Sequence, residues 1–176
     1  HAYLLVTDSI GGIFVYKEYG DTSYADGGLD IITSYNGNFA ITGINGTSSF
    51  NGGAYLIKTD SVGDTIFTRT YFNSRLNGGY AIKQTPDSGF IIAGFTYDSL
   101  IMTYHPYLIR ANSSGDTIFT HVFYYSLGST VKSLDIVDST GYIITGRIIN
   151  PIPQLAGNLL LIRANEYGDT LWTRWY

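Results

Sequence analysis

The feature that most constrains this chain is a stretch of sequence that occurs four times. Ala54–Phe72 reads AYLIKTDSVGDTIFTRTYF, and its other copies are Ala2–Gly20, Pro106–Tyr124 and Leu159–Tyr176. The turn glycines of the copies lie 52, 52 and 53 residues apart, at Gly11, Gly63, Gly115 and Gly168. A fixed period of this size is typical of solenoids and propellers, so we expect an array of equal units.

Each copy predicts a β-hairpin. In the first copy, Ala2–Thr7 is a short apolar strand, Asp8–Gly11 is a turn, and Gly12–Tyr19 alternates between two faces. In the second copy, the Asp60 side chain is placed to accept backbone amides, and Gly63 can adopt a positive φ without steric cost. The last two copies carry asparagines in the role of Asp60, namely Asn112 and Asn165.

A second recurring unit lies between the hairpins. Its copies are Gly28–Asn45, Gly79–Thr96 and Thr130–Ile148. We assign its turn glycines as Gly37, Gly89 and Gly141, and the glycines of its second strand are Gly43, Gly94 and Gly146. A glycine inside an apolar strand marks close approach of another backbone, so the second set predicts a crowded position in every unit. The remaining segments, Thr47–Gly53, Tyr97–His105 and Asn150–Asn158, are predicted to be loops on one face.

Composition narrows the class of protein. The formal charge is −4 with no run of Lys or Arg, which leaves no electrostatic footprint for nucleic acid. No apolar run approaches the length of a membrane span. Cysteine is absent, which excludes disulfides, zinc fingers and thiol catalysis. The chain starts at His1, which indicates either a cleaved secretion signal or a boundary made by proteolysis or cloning, and the uncharged, Tyr-rich composition favours export.

Together these units resemble a bacterial and archaeal repeat of about fifty residues, found in exported proteins and regarded as a β-propeller blade. The motifs that carry the resemblance are YLIKTD from Tyr55, GDT from Gly63 and GFIIAG from Gly89. The resemblance implies that the GFIIAG unit forms the inner strands and the YLIKTD unit the outer strands. It implies no shared catalytic residues.

The fold class predicted is therefore all-β, with propeller-type, four-stranded antiparallel blades. The chain forms a single domain of about three and a half blades, with a half blade at 2–20 and full blades at about 28–72, 79–124 and 130–176.

Two sets of side chains are candidate metal ligands. The acidic turns pair Asp60 with Asp64, and Asn112 with Asp116, but calcium needs six to eight oxygens, and the first copy has Gly12 where Asp64 stands. Ordinary turn chemistry is favoured. The three histidines, His1, His105 and His121, occupy unrelated positions, so we expect scattered surface residues and no zinc site.

Two further sets of side chains are candidates for catalysis and for binding. Asp30 and Asp135 lie on inner strands and could act as a carboxylate pair in a channel, but the middle copy was aligned with Ile82 at that position. Solvated channel residues are favoured. The recurring cations are Lys58, Arg110 and Arg163 at one position and Arg69 and Arg174 at another. They could bind a polyanion, although a solvated, salt-bridged face is favoured.

Recurring aromatics, among them Phe67, Phe119 and Trp172, are expected to pack between neighbouring blades. Asn45–Thr47 and Asn112–Ser114 match glycosylation acceptors, a pattern that also arises by chance.

The leading hypothesis is a non-enzymatic, extracellular structural or interaction protein with no cofactor and no catalytic residue. Its expected partners are copies of itself, joined head to tail through the half blade into a filament or larger oligomer. The alternative is a fragment of a larger ligand-binding propeller of the cell surface, with a glycan or protein ligand left open. A propeller enzyme is the third hypothesis.

Overall fold

The structure is a computed structural model that describes residues 1–20, 26–48, 51–73, 75–125, 128–137, 141–149 and 158–176. All regular secondary structure in these ranges is β, which confirms the predicted all-β class. The strands are β1 (Ala2–Thr7), β2 (Ile13–Tyr19), β3 (Gly27–Thr33), β4 (Phe39–Ser48), β5 (Asn51–Thr59), β6 (Thr65–Tyr71), β7 (Asn77–Gln84), β8 (Phe90–Asp98), β9 (Thr103–Ala111), β10 (Thr117–Val122), β11 (Ser129–Ile136), β12 (Gly141–Ile148), β13 (Leu159–Asn165) and β14 (Thr170–Trp175).

The strands pair in chain order into one two-stranded and three four-stranded antiparallel sheets. We name them the first hairpin (β1–β2), blade 1 (β3–β6), blade 2 (β7–β10) and blade 3 (β11–β14). The first strands of successive blades pack on each other, since β7 contacts β3 and β11 contacts β7. The architecture is therefore one of propeller-like blades, each a simple four-stranded meander.

The hydrophobic core lies between the sheets. One cluster joins Ala2 and Leu4 of the first hairpin to Tyr55 and Ile57 of blade 1. A second joins blades 1 and 2, and a third joins blades 2 and 3. Alternate residues of each strand point to opposite faces. Each blade therefore has a forward face, directed at the next blade along the chain, and a backward face, directed at the preceding one.

The second-strand glycines are crowded as predicted, and the cause is a β-bulge. The first strand of each blade carries an extra residue opposite the glycine: Leu29, Tyr80 or Lys132. A Cβ built on Gly94 would overlap the carbonyl oxygen of Gly78, and the other two glycines face the carbonyls of Gly27 and Thr130 in the same way. The close backbone is therefore the neighbouring strand of the same blade.

The predicted loop segments are shorter than expected. Tyr97 and His105 belong to strands β8 and β9, and only the residues between Asp98 and Thr103 form the connection. Aromatic rings extend the pairing, because Tyr104 lies 4.9 Å from Tyr97 and 5.4 Å from Phe95 between ring centroids. In blade 1 the strands likewise continue to Ser48 and resume at Asn51. Most of the third predicted loop, residues 150–157, lies outside the described ranges.

We expect Gly94→Ala to lower the free energy of unfolding by at least about 1–3 kcal/mol, the usual range for overpacking, because the bulge carbonyl must move. Gly27→Ala is a matched control in a strand, since a Cβ there meets nothing within 4 Å. Denaturant titration of both variants measures the difference. Equal midpoints for the two variants would contradict the proposed role of the bulge.

Candidate interaction faces

The turn of each outer hairpin is built by one side chain at its start. The Asp60 carboxylate accepts the amides of Val62 at 3.0 Å and Asp64 at 2.8 Å. Asp8, Asn112 and Asn165 make the same pair of bonds. The turn glycines all have φ between 82° and 88°. These geometries confirm the predicted turn. They also show that the side-chain amide of Asn112, which belongs to the second glycosylation motif, takes part in the turn.

A tyrosine at the end of each of the first two outer hairpins clamps the next turn along the chain. The Tyr19 hydroxyl donates to the Gly63 carbonyl at 2.7 Å, and the Tyr71 hydroxyl donates to the Gly115 carbonyl at 2.9 Å. Burial raises the pKa of Tyr71, so the hydroxyl remains a donor at neutral pH. Phe123 occupies this position at the third junction and is buried in the core without a hydroxyl.

Ion pairs accompany the first two clamps. Lys17 lies 2.8 Å from Asp64, and Arg69 lies 3.6 Å from Asp116. The Asp64 carboxylate raises the pKa of Lys17. Because the turn carboxylates and amides are engaged in this way, the acidic turns act as structural joints. No group of three or more His, Asp or Glu side chains within the described ranges is arranged to hold a metal ion.

The cations of β5 and β9 do not form a solvated face, which corrects the sequence interpretation. Lys58 and Arg110 are each only 7% exposed. Lys58 bonds the hydroxyl of Ser34, and burial lowers its pKa. Arg110 holds both oxygens of Asp87 at 2.6 Å. Hydrogen bonds from Thr85 and Arg110 lower the pKa of the Asp87 carboxyl. These cations fasten the inner turns and leave no charge for a polyanion.

Two of the glycines that we assigned to turns lie just after the turn and face the backbone of the next strand. A Cβ on Gly89 would overlap the Ala111 carbonyl as well as the Arg110 guanidinium, and one on Gly141 would overlap the Ala164 carbonyl. Gly141 also has a positive φ of 143°, and the left-handed turn residue of blade 2 is Ser88, with φ of 65°. Close backbone is therefore the main reason for glycine at these two positions. Blade 1 has Asn38 at the equivalent position.

The carboxylates on the first strands hold neighbouring blades together. Asp30 accepts the backbone amide of Ile82 from blade 2 at 2.9 Å, and Asp135 lies 3.4 Å from the Lys83 ammonium. The strand registers also correct the alignment of these residues. Asp30 stands opposite Thr42, and its equivalents opposite β8 and β12 are Ala81 and Ser133. Asp30 and Asp135 are thus not equivalent positions, and each serves a blade junction.

His105 is not a surface residue, which corrects the expectation for this histidine. It lies in β9, is 1% exposed, and neither ring nitrogen has a hydrogen-bond partner in the described part of the chain. Its ring packs edge-on against Tyr124 at 5.0 Å. Burial lowers the pKa of His105, while the nearby Asp98 acts in the opposite direction. His121 packs on Phe123 in blade 2, away from any metal-binding group among described residues.

A cleft of about 250 Å³ lies between the first hairpin and blade 1. Glu18, Asp26, Asn45 and Tyr55 are among its lining residues. The buried Tyr55 hydroxyl has no hydrogen-bond partner in the described ranges, and burial raises its pKa. Small-molecule pockets typically measure about 300–1,000 Å³, so the cleft is below the size that a ligand site favours.

The first hairpin exposes side chains that every full blade buries. Tyr3 aligns with Tyr55, Tyr107 and Leu160, and Leu5 aligns with Ile57, Ile109 and Ile162. The blade residues are at most 3% exposed, whereas Tyr3 is 56% and Leu5 is 54% exposed. Tyr16 stacks on Tyr3 with ring centroids 6.2 Å apart and extends this apolar surface. We call it the backward face of the first hairpin.

Blade 3 exposes the opposite face. Trp172, Arg174 and Tyr176 occupy the positions of Phe67, Arg69 and Tyr71. Trp172 is 42% and Tyr176 is 73% exposed, and Leu159 beside them is exposed as well. Two hydrogen bonds of 2.9 and 3.0 Å to Leu159 hold Tyr176 in the strand register. This forward face of blade 3 carries the side chains that clamp a following turn elsewhere in the molecule.

The main junction residues missed by sequence reasoning are tyrosines and one asparagine. Tyr19, Tyr71 and Tyr176 recur at one repeat position, and that recurrence was a usable signal. Asn77 is buried and accepts the amide of Ala54 at 2.7 Å, which ties blade 2 to blade 1. The strand registers place Asp26 and Ser129 at the same repeat position, so the recurrence of a polar residue there was a usable signal as well.

The sequence matches no family model and no curated protein. The resemblance to an exported propeller repeat therefore stays a prediction. The described residues include no helix long and apolar enough to cross a membrane.

We expect Tyr71→Phe to lower the free energy of unfolding by about 1–3 kcal/mol, because the buried Gly115 carbonyl loses its donor. Tyr167→Phe removes an exposed hydroxyl and serves as the control. Urea denaturation of both proteins provides the comparison. A Tyr71→Phe protein as stable as the control would mean that the clamp contributes nothing.

We expect acid to weaken the fold through His105. Its folded pKa lies below the unfolded value of about 6.5, so unfolding takes up a proton when the pH falls. The contribution of neutral His105 is complete above about pH 6.5 and is lost as the pH falls below this value towards the folded pKa. His105→Phe should reduce the slope of stability against pH in this window, whereas His121→Gln should not. An unchanged slope in His105→Phe would mean that another titratable group causes the pH dependence of stability.

Proposed function

We propose that this protein is a non-enzymatic, exported structural module that works by contact and self-assembles head to tail. In this proposal the backward face of the first hairpin packs on the forward face of blade 3 in another copy. The contact repeats the packing that joins the blades within one chain. The protein belongs, on this proposal, with the exported propeller repeats that its motifs resemble.

The observation that carries the proposal is the exposure of Tyr3 and Leu5. At every internal junction their equivalents are buried against the preceding blade. Apolar side chains at these positions gain about 25 cal/mol for each Å² of surface removed from water. Clustered apolar patches on a soluble protein mark interaction surfaces. The forward face of blade 3 carries, at equivalent positions, the kinds of side chain that cover this patch at the internal junctions.

The free edge of β1 supports the same conclusion. In blade 1 the equivalent strand β5 lies between β4 and β6, whereas β1 has only β2 as a partner in the described sheets. Unpaired strand edges template the addition of further strands unless they are covered. A neighbouring copy that packs on the first hairpin restricts access to this edge.

The proposed contact also has consequences for the type of assembly. The backward face of the first hairpin and the forward face of blade 3 are different surfaces, so their contact is heterologous. Such a contact gives a ring when the rotation closes and a filament when it does not.

The polar residues considered for chemistry support a contact role. Asp30, Asp87 and Asp135 are engaged with amides or cations of neighbouring elements.

We expect the protein to form species larger than one chain, with a mass that rises with concentration in light scattering. Leu5→Asp places a charge in the backward face and should leave a folded monomer, because Leu5 is exposed in the isolated chain. Ile118→Asp is the control, since Ile118 is equally exposed but stays uncovered at an internal junction. A wild-type protein that remains monomeric at all concentrations would overturn the proposal.

A further inference from the structure

The backward and forward faces define two surfaces, and the internal junctions indicate which atoms meet within them. We propose that Trp172, Arg174 and Tyr176 clamp the Asp8–Gly12 turn of a second copy of this chain. This inference rests on the proposed function and names the contact through which the assembly is held in register.

Each internal clamp covers the glycine of the turn that follows it. A Cβ on Gly115 would lie 2.6 Å from the Phe67 ring, and one on Gly168 would lie 2.6 Å from the Phe119 ring. Gly63 is covered in the same way by Leu4, Val15 and Lys17 of the first hairpin. Three successive turns of the chain are therefore each capped by the outer hairpin that precedes them.

The first turn is the uncovered member of this series. A Cβ on Gly11 meets nothing within 4 Å, although Gly11 has the same φ, 88°, as Gly168. Ile10 beside it is 91% exposed. The turn has the same internal bonds as the covered ones, since Asp8 accepts the amides of Ile10 and Gly12. The backbone that a clamp recognises is thus already formed.

The side chains of the last clamp match their internal counterparts. Trp172 stands where Phe67 and Phe119 cover a glycine, and Tyr176 stands where Tyr19 and Tyr71 donate to a glycine carbonyl. The Tyr176 hydroxyl would therefore donate to the Gly11 carbonyl of the second copy. Arg174 occupies the position at which Lys17 and Arg69 meet a turn carboxylate.

The proposed joint between copies differs from the internal junctions at one residue of the turn. Gly12 takes the place of Asp64, Asp116 and Asp169, so the turn of the second copy offers Arg174 no carboxylate at that position. Exposed ion pairs contribute little, so the joint forms without one, but it is weaker than the first two internal junctions.

Gly12→Asp tests this assignment by adding the missing carboxylate. A Cβ on Gly12 meets only the flexible end of Asp8, at 2.6 Å from Oδ2, and Asp64 and Asp60 coexist in the same arrangement. We expect self-association to tighten about two- to fivefold at low salt and the gain to vanish at high salt. The gain should also vanish in an Arg174→Gln background. Tyr176→Phe should weaken association about two- to tenfold.

A thiol cross-link locates the contact directly, because the chain has no cysteine. A Gly12→Cys protein is mixed with an Arg174→Cys protein and treated with a short bismaleimide. Lys17→Cys combined with Asp64→Cys in one chain calibrates the reaction, since these side chains meet at an internal junction. Ile118→Cys mixed with Arg174→Cys reports random collision. We expect a cross-linked dimer from the first mixture and none from the last.

The outcomes separate the two proposals. Association of the wild-type chain with no effect of Gly12→Asp or Tyr176→Phe, and no specific cross-link, overturns the clamp and leaves self-assembly standing. A wild-type chain that stays monomeric, together with no specific cross-link between the Gly12→Cys and Arg174→Cys proteins, overturns both. Equal cross-linking through Ile118→Cys also overturns the clamp, because the contact would then be non-specific.

Discussion

Each sheet of this protein is buried only by the sheets beside it. The three hydrophobic clusters all lie between neighbouring sheets. Stability in such an array is approximately a sum of unit and nearest-neighbour terms. Within the described residues the first hairpin and blade 3 each pack on a single sheet, which accounts for the exposure of Tyr3 and Trp172.

Glycine sets how closely the parts of each blade approach. Gly94 and its two equivalents leave room for the carbonyl of a bulge in the same sheet, and Gly89 and Gly141 lie against the carbonyls of Ala111 and Ala164 in the adjacent strand. The two positions differ in how strictly they require glycine. Every blade has glycine opposite the bulge, whereas blade 1 has Asn38 where the other two blades have Gly89 and Gly141.

The sequence predicts the local features of this fold better than those that depend on neighbouring blades. Turn chemistry at Asp60 and the strand pattern follow from a few adjacent residues, so they could be predicted. The burial of Lys58 and Arg110 could not be predicted. The alternation of side chains assigns each residue to one face of its strand but does not show which element covers that face. The alignment of Asp30 with Asp135 is wrong because a bulge adds one residue to each first strand and shifts any count along it. The sequence predicts a loop at His105 because the aromatic contacts that extend β8 and β9 form between strands. Such contacts cannot be recognised from adjacent residues.

The clamp between successive units has a further consequence for how chains of this kind change in length. Tyr19 and Tyr71 each reach the next unit along the chain, and the contacted backbone is the same in both cases. A block of one repeat period that carries tyrosine at this position therefore brings its own donor and its own acceptor. In-frame duplication or loss of such a block creates no new type of contact and leaves no orphaned one. Genes that encode this architecture can gain or lose whole units by unequal recombination, while the junctions on either side stay satisfied.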